Sequence, residues 1–264
     1  MNCITVLVDN HASGNLYAEH GLSYFIELED EKWLFDTGQS SLFIENSKKL
    51  GIDLNRIDGI ILSHGHYDHG DGLIHLKNMK EKLLITHPAS FDGHFREKDN
   101  SSIGLKMNQN EVSKNFNLIL SSKAYKLSDS LWFLGEVPRI TDFESKETSF
   151  VLEDGKPDFV IDDSGVAIIV GGGIYVLTGC GHAGVVNTVE HAISVTGIDN
   201  VKGVLGGFHL KENNIQTQKT IEYLKNKKVK YIWPSHCNAL PAMSAFYNEF
   251  KIDEIKVGSK LIFK

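Results

Sequence analysis

The sequence predicts a mixed α/β protein in which helices lie outside two packed sheets. Short apolar runs of strand type alternate with segments of helical period, and the alternation occurs in both halves of the 264-residue chain. No proline- or serine-rich linker separates the halves, so residues 1–264 are expected to form one domain. A chain of this length, 41% hydrophobic and 23% charged, can bury a substantial core.

Ile4–Val8, Leu22–Leu28 and Lys32–Phe35 read as strands, with Glu29-Asp30-Glu31 turning the second into the third. Phe43, Ser47 and Leu50, with Leu42 and Ile44, mark a helix ended by Gly51, and Ile57–Leu62 reads as a buried strand. A helix is expected over Gly72–Met79 and a strand over Leu83–Thr86. Residues 90–115 are polar and glycine-punctuated; with Phe91, Phe95, Arg96 and Met107 among them, they are expected to form a specificity element or lid. Leu131–Leu134 is a strand, and the acidic stretch 141–158 is expected to be exposed loop. Val166–Val170 and Ile174–Leu177 form a hairpin across Gly171-Gly172-Gly173. A glycine-rich turn, Thr178–Gly184, leads into a helix over Val185–Val195. The strand Val201–Leu205 runs into Gly206-Gly207-Phe208-His209, and the strand Lys230–Trp233 into Pro234-Ser235-His236-Cys237. Helices over Thr217–Lys227 and Met243–Phe250 and a strand over Lys260–Phe263 complete the pattern.

Net charge is −7, so there is no global basic face for a nucleic-acid backbone, and no nucleic-acid partner is expected. No stretch has the length of a transmembrane helix, no membrane partner is expected, and the first residues lack the basic start of a signal peptide. Three cysteines without paired spacing argue against a disulfide framework and for a reducing, cytoplasmic setting. The oligomeric state is not legible.

The chemistry is concentrated in Ser63-His64-Gly65-His66-Tyr67-Asp68-His69-Gly70, directly after a buried strand. Imidazole and carboxylate side chains this close at a strand end suit zinc, iron or manganese. His64 and His66, spaced by one residue, can face one ion; the adjacent Asp68 and His69 can face a second. His182, His209 and His236 each follow an apolar strand in the same way, whereas His87, before Pro88, reads as a turn histidine. On the substrate side, Arg139, set among proline and glycine, can clamp a phosphate or carboxylate. Gly181–Gly184 opens a helix whose N–H groups can receive an anion, with Asn187 adding a donor. Tyr67 lies between ligands, and Trp132 and Phe208 can stack on a flat ring.

The run His64-x-His66-x-Asp68-His69 resembles the signature of the metallo-β-lactamase superfamily; Asp36-Thr37-Gly38 and His87-Pro88 resemble further motifs of that family. The resemblance implies a four-layer αββα sandwich with two divalent metal ions, zinc first and iron, manganese or nickel as alternatives, at one edge between the sheets. Gly135-Glu136-Val137-Pro138-Arg139, Thr178-Gly179-Cys180-Gly181-His182-Ala183-Gly184, Gly206-Gly207-Phe208-His209-Leu210 and Ser235-His236-Cys237, in this order, narrow it to a subgroup. These segments resemble proteins of the dihydropterin-methyl ribofuranosylaminobenzene 5′-phosphate synthase-like type.

The resemblance implies His182 and His236 as further ligands. Cys180 stands where most members carry a bridging aspartate; it either bridges as a thiolate or packs as a small buried hydrophobe. Beside His236, Cys237 reads as a buried thiol pointing away along the strand. His209 resembles a segment that lines the site and is expected to meet a substrate oxyanion rather than a metal. The implied activity is hydrolysis of a small anionic phosphorylated, ester or lactone substrate by a metal-bound hydroxide, with Asp68 both ligating and orienting. The alternatives are a phosphoribosyl-type transferase and a non-catalytic metal-centred sensor. A di-iron oxidoreductase of the same fold would carry Glu at position 66 and an additional flavin domain.

Overall fold

The computed structural model describes residues 2–76 and 79–263. They form two compact units that interleave along the chain. The first comprises residues 1–122, 149–158 and 256–264, and the second residues 123–148 and 159–255.

The first unit is built on a seven-stranded sheet in the order Lys260–Ile262, Cys3–Val8, Ser23–Leu28, Glu31–Phe35, Gly59–Ile61, Leu83–Thr86, Asn117–Leu120. Pairing is antiparallel up to the hairpin of Ser23–Leu28 with Glu31–Phe35 and parallel from there onward. The central parallel strands Gly59–Ile61 and Leu83–Thr86 are short and almost wholly apolar and buried, as strands covered on both faces must be. Leu34, Ile60 and Leu84 enter a core with Phe25, Ile57, Leu62 and Val112, covered by Phe43 of the helix Leu42–Lys49. That helix ends, as expected, before Gly51, whose φ of 73° is left-handed.

The second unit carries a six-stranded sheet in the order Tyr231–Ser235, Val201–Gly207, Gly173–Thr178, Gly165–Val170, Leu131–Phe133, Tyr125–Lys126. The first three are parallel and the rest antiparallel. Its core joins Val176, Val204 and Ile232 of the sheet to three helices: Val189 and Ala192 of Val185–Thr196, Ile221 and Leu224 of Ile215–Asn226, and Ala245 and Phe246 of Leu240–Phe250.

Two segments differ from expectation, and a third, 90–115, gains elements that its sequence left unassigned. Where a helix was expected over Gly72–Met79 there is a short 3-10 turn, Asp71–His75, and residues 77 and 78 lie outside the described residues. A Cβ on Gly72 would stand 2.2 Å from the Thr37 carbonyl, so this turn is pressed onto its neighbour and not free to wind as an ordinary helix. The 90–115 segment is ordered into a strand, His94–Arg96, and a helix, Gln109–Asn115, closed by a capping box of Asn108 and Glu111. The 141–158 stretch is not simply exposed loop. Phe150–Leu152 pairs with His94–Arg96, and Glu144 and Asp158 are buried.

Every parallel strand with a chemical residue after it delivers that residue at its carboxyl end, where open α/β sheets collect their ligands. In the first unit Asp36 follows Glu31–Phe35, Ser63 and His64 follow Gly59–Ile61, and His87 follows Leu83–Thr86. In the second, Cys180 and His182 follow Gly173–Thr178, His209 follows Val201–Gly207, and His236 and Cys237 follow Tyr231–Ser235.

Candidate metal centre

In the first unit the cluster is fully formed. His64 and His69 are completely buried, and His66 and Asp68 nearly so. The His64 ring centroid lies 4.5 Å from that of His66 and 4.3 Å from that of His69. Gly65 is obligatory between the first two, because a Cβ there would fall 2.1 Å from the Ser90 carbonyl oxygen. The chain then makes one helical turn, Tyr67–Gly70, which presents Asp68 and His69.

A single buried carboxylate organises this set. Asp36 Oδ1 accepts from the Ser63 amide (2.7 Å), and Oδ2 accepts from the Ser63 hydroxyl (2.7 Å) and from His69 Nδ1 (2.7 Å). Because the Ser63 proton goes to Asp36, its oxygen is the acceptor for His64 Nδ1, 2.9 Å away. His64 and His69 are therefore both protonated at Nδ1, which leaves the Nε2 lone pair of each for an ion; the tautomers follow from the hydrogen-bond network. Asp68 Oδ2 also contacts His20 Nε2 at 3.2 Å. Burial is the main cause that lowers His66 to a pKa of about 3, which keeps it the neutral imidazole that metals accept. Its ring abuts His94 (5.5 Å) and Phe150 (5.2 Å), and His94 Nδ1 is bonded to Asp158 at 2.6 Å.

The second unit assembles a different donor set from three strand ends. The donor atoms of Cys180, His182 and His209 all lie within 4.8 Å of one another, and so do those of Cys180, His236 and Cys237. The His182 and His209 rings are 4.4 Å apart. Thr178 Oγ1 donates to the Gly207 carbonyl at 2.7 Å, tying two of the strand ends together. Buried Asp163 accepts from the Ala183 amide at 2.8 Å and so holds the turn that carries His182. Burial above all pushes the Asp163 carboxyl up to about 6. Among the described residues, the buried His209 Nδ1 has no hydrogen-bond partner. Burial would push the Cys237 thiol up, but hydrogen bonds from Cys180 and His209, with the nearby His209 and His236 imidazoles, pull it well below the usual range. Imidazole, carboxylate and thiolate at this density fit zinc-class ions.

The structure places the expected substrate residues less uniformly. The helix Val185–Thr196 does not offer its N-terminus to an outside anion, because a carboxylate of this chain already fills it. Glu144 accepts from the Val186 and Asn187 amides, each at 2.9 Å. Asn187 is fully buried; its Oδ1 accepts from the Ile140 and Thr141 amides and its Nδ2 donates to the Ala183 carbonyl. Arg139 donates Nε to Ser145 Oγ (2.8 Å) and Nη2 to the Phe159 carbonyl (2.6 Å), bracing its own loop. Phe208 belongs to the core against Phe246, 5.7 Å away, which removes it as a stacking platform; Trp132 packs half-buried on the same core. Tyr67 is half-buried with its ring 6.5 Å from that of His20. His87 is a turn histidine, as expected: its Nδ1 accepts from the Ala89 amide. Asp163, Glu144 and the His94–Asp158 pair were missed because their partners are distant in sequence. Asp36 carried a signal, the Asp-Thr-Gly at a strand end, without revealing its bonds.

Comparison with known proteins agrees with this geometry. Residues 16–192 match the family described as the metallo-beta-lactamase superfamily. The chain is 33% identical, over 99% of its length and 96% of the relative's, to a Methanocaldococcus jannaschii protein named 7,8-dihydropterin-6-methyl-4-(beta-D-ribofuranosyl)-aminobenzene-5'-phosphate synthase. It is also 33% identical to an uncharacterized protein of the same organism, over 91% of this chain and 92% of that one. Among solved structures it is similar to Tm1679, described as a metal-dependent hydrolase of the beta-lactamase superfamily, with a TM-score of 0.87 and 28% identity over 100% of this chain and 99% of that one. A diphosphatase of the PhnP family shares the fold, with a TM-score of 0.58 and 15% identity over 100% of this chain and 98% of that one.

Proposed function

Because this chain belongs to the metallo-beta-lactamase superfamily, we propose that it is a metal-dependent hydrolase acting on a small anionic substrate, a phosphorylated compound, an ester or a lactone. The observation that carries this reading is the buried His64, His66, Asp68, His69 set, with Asp36 fixing the tautomers of two of its imidazoles. The proposed ligands for two divalent ions of the zinc class are these four in the first unit and His182, His236 and Cys180 in the second. When bound, such ions supply water of lowered pKa and positive charge for an oxyanion. Asp68, steadied by His20, orients the attacking water; His209 donates to the developing oxyanion. Tyr67 in the same turn as Asp68 contacts substrate. Arg139 and Asn187 act on the substrate by shaping the loop they brace. The same reading gives the protein a reducing cytoplasmic setting and no nucleic-acid or membrane partner. Among the described residues no helix is long and apolar enough to cross a membrane.

The test is metal analysis of the purified full chain together with a turnover screen of phosphodiesters, phosphomonoesters and lactones. Zinc-class metal above one ion per chain is expected, and Asp68→Asn is expected to lose about 100-fold or more of the turnover found. Fewer than one ion per chain in a folded, metal-replete sample overturns the reading. Identity of 33% to the named synthase across 99% of the chain favours a second reading, transfer of a phosphoribosyl group to an aminobenzene acceptor. Release of inorganic diphosphate and carbon dioxide together, from a phosphoribosyl diphosphate and an aminobenzoate whose carboxylate the new ribosyl–aryl bond replaces, would select it.

A further inference from the structure

We propose that Cys237 is a metal ligand, and that together with Cys180 it gives the second unit a two-thiolate donor set that selects zinc-class ions over manganese and magnesium. The inference rests on the reading that the chain loads metal. The sequence alone points Cys237 away from its neighbour His236, since successive side chains of a strand face opposite sides. The backbone does otherwise. His236 is left-handed, with φ of 54°, and this breaks the alternation, so that adjacent side chains converge. The donor atoms of Cys180, His236 and Cys237 consequently lie within 4.8 Å of one another in a buried cluster.

Three further features set Cys237 apart from a filler, although its Sγ–H also donates to the Cys180 carbonyl at 3.3 Å. Its Sγ receives the His209 backbone amide at 3.3 Å, the kind of donor that orients a ligand sulfur and offsets its charge. His209 achieves this from a left-handed conformation of its own, φ 50°. Two non-glycine residues in that sparsely populated region around one sulfur are a local constraint of the sort that accumulates at functional sites. The strand end is also hollowed for the sulfur. A Cβ on Gly207 would stand 2.7 Å from Cys237 Sγ, 3.0 Å from Cys180 Cα and 2.4 Å from the Gly179 carbonyl. A buried thiol serving only as packing needs none of these. Two thiolates and an imidazole favour zinc, iron(II) and nickel; manganese and magnesium prefer oxygen donors.

The experiment is X-ray absorption at the zinc edge on the zinc-loaded full chain, alongside Cys180→Ser and Cys237→Ser. Two sulfur scatterers per chain at about 2.3 Å, one per zinc on average where two ions are bound, are expected beside a nitrogen and oxygen shell at about 2.0 Å, and each substitution is expected to remove one. Cobalt(II) loading is expected to give a near-ultraviolet thiolate-to-cobalt band that each substitution lowers by about half. Manganese competition is expected to displace zinc at least about tenfold more readily in Cys237→Ser than in the unaltered chain. Fewer than two sulfur scatterers per chain in the unaltered protein overturns the inference even if the variants fail to fold. So does a spectrum that Cys237→Ser leaves unchanged. Metal bound without the second sulfur removes this inference alone, whereas no metal bound at all removes the hydrolase reading with it.

Discussion

The two units each bring a donor cluster to the ends of their parallel strands, and they do it by opposite means. The first unit's donors sit in one contiguous run, His64 to His69, on regular backbone, and a single buried carboxylate, Asp36, orients them. The second unit's donors come from three separate strand ends, Cys180 and His182, His209, and His236 with Cys237, and two of the histidines are left-handed. Its carboxylates hold backbone instead of ligands: Asp163 the Ala183 amide, Glu144 the amides of Val186 and Asn187. The contiguous cluster is made precise chiefly by the side-chain hydrogen bonds of Asp36, though it too needs the space at Gly65; the dispersed one depends on left-handed histidines and on the space at Gly207.

The sharpest way to break the comparison is Asp36→Ala. It strands the Ser63 amide and hydroxyl and the His69 imidazole in a dry site, and is expected to cost about 3–5 kcal/mol in urea unfolding. Conditions that keep it folded should show zinc bound about 10–100-fold more weakly. A variant of unchanged zinc affinity would mean that Asp36 supports only the fold. Glu144→Ala is the counterpart in the second unit. Two buried amides lose their acceptor, each worth about 1–3 kcal/mol, so a loss of about 3 kcal/mol is expected from the same measurement. Gly207→Ala probes the space around the thiols: overpacking should cost about 2 kcal/mol and perturb the cobalt–thiolate band, which a merely distant strain would leave alone. Asn108→Ala removes a helix cap remote from both clusters, at a cost of about 1 kcal/mol, and metal content should not move.

The smallest effect is a pH dependence. Burial raises the Glu144 carboxyl above its ordinary value of 4.5, so the folded state holds its proton to higher pH than the unfolded chain does. Its contribution to stability is present below the ordinary value and is lost as pH rises through the raised folded one. In metal-free protein, the stability advantage of the unaltered chain over Glu144→Gln should therefore shrink as pH rises from the ordinary carboxylate value of 4.5 through the raised folded one. An advantage that grows over that range contradicts the assignment.

What was legible in the sequence follows the same division. Local patterns succeeded: the hairpin after Glu29-Asp30-Glu31, the helix closed by Gly51, the strands ending at His64 and His209 all appear in the fold. The histidine run was visible because its members are neighbours in the chain. Long-range pairings were not visible. Glu144 lies in an acidic stretch that looks solvated, and only the tertiary fold gives its carboxylate the amides of a helix more than forty residues away. His94 and Asp158 are sixty-four residues apart and buried as a pair. Cys237 is the buried thiol expected, but its direction differs: a strand's alternation is a sound rule until one residue, here His236, turns left-handed and brings the two donor atoms together.

The strand Lys260–Ile262 has a consequence for how the molecule is made. It pairs with Cys3–Val8, so the first sheet takes its edge from residues synthesised some two hundred and fifty positions later. The second unit, residues 123–148 and 159–255, is complete before that edge exists. Until then Cys3–Val8, a strand buried at every position in the finished fold, presents one row of its amides and carbonyls with no strand against it. Such a delay exposes an apolar edge for the length of translation, the interval in which chains associate with one another. A nascent chain of this protein is therefore expected to lean on chaperones until Lys260–Ile262 covers the edge of Cys3–Val8.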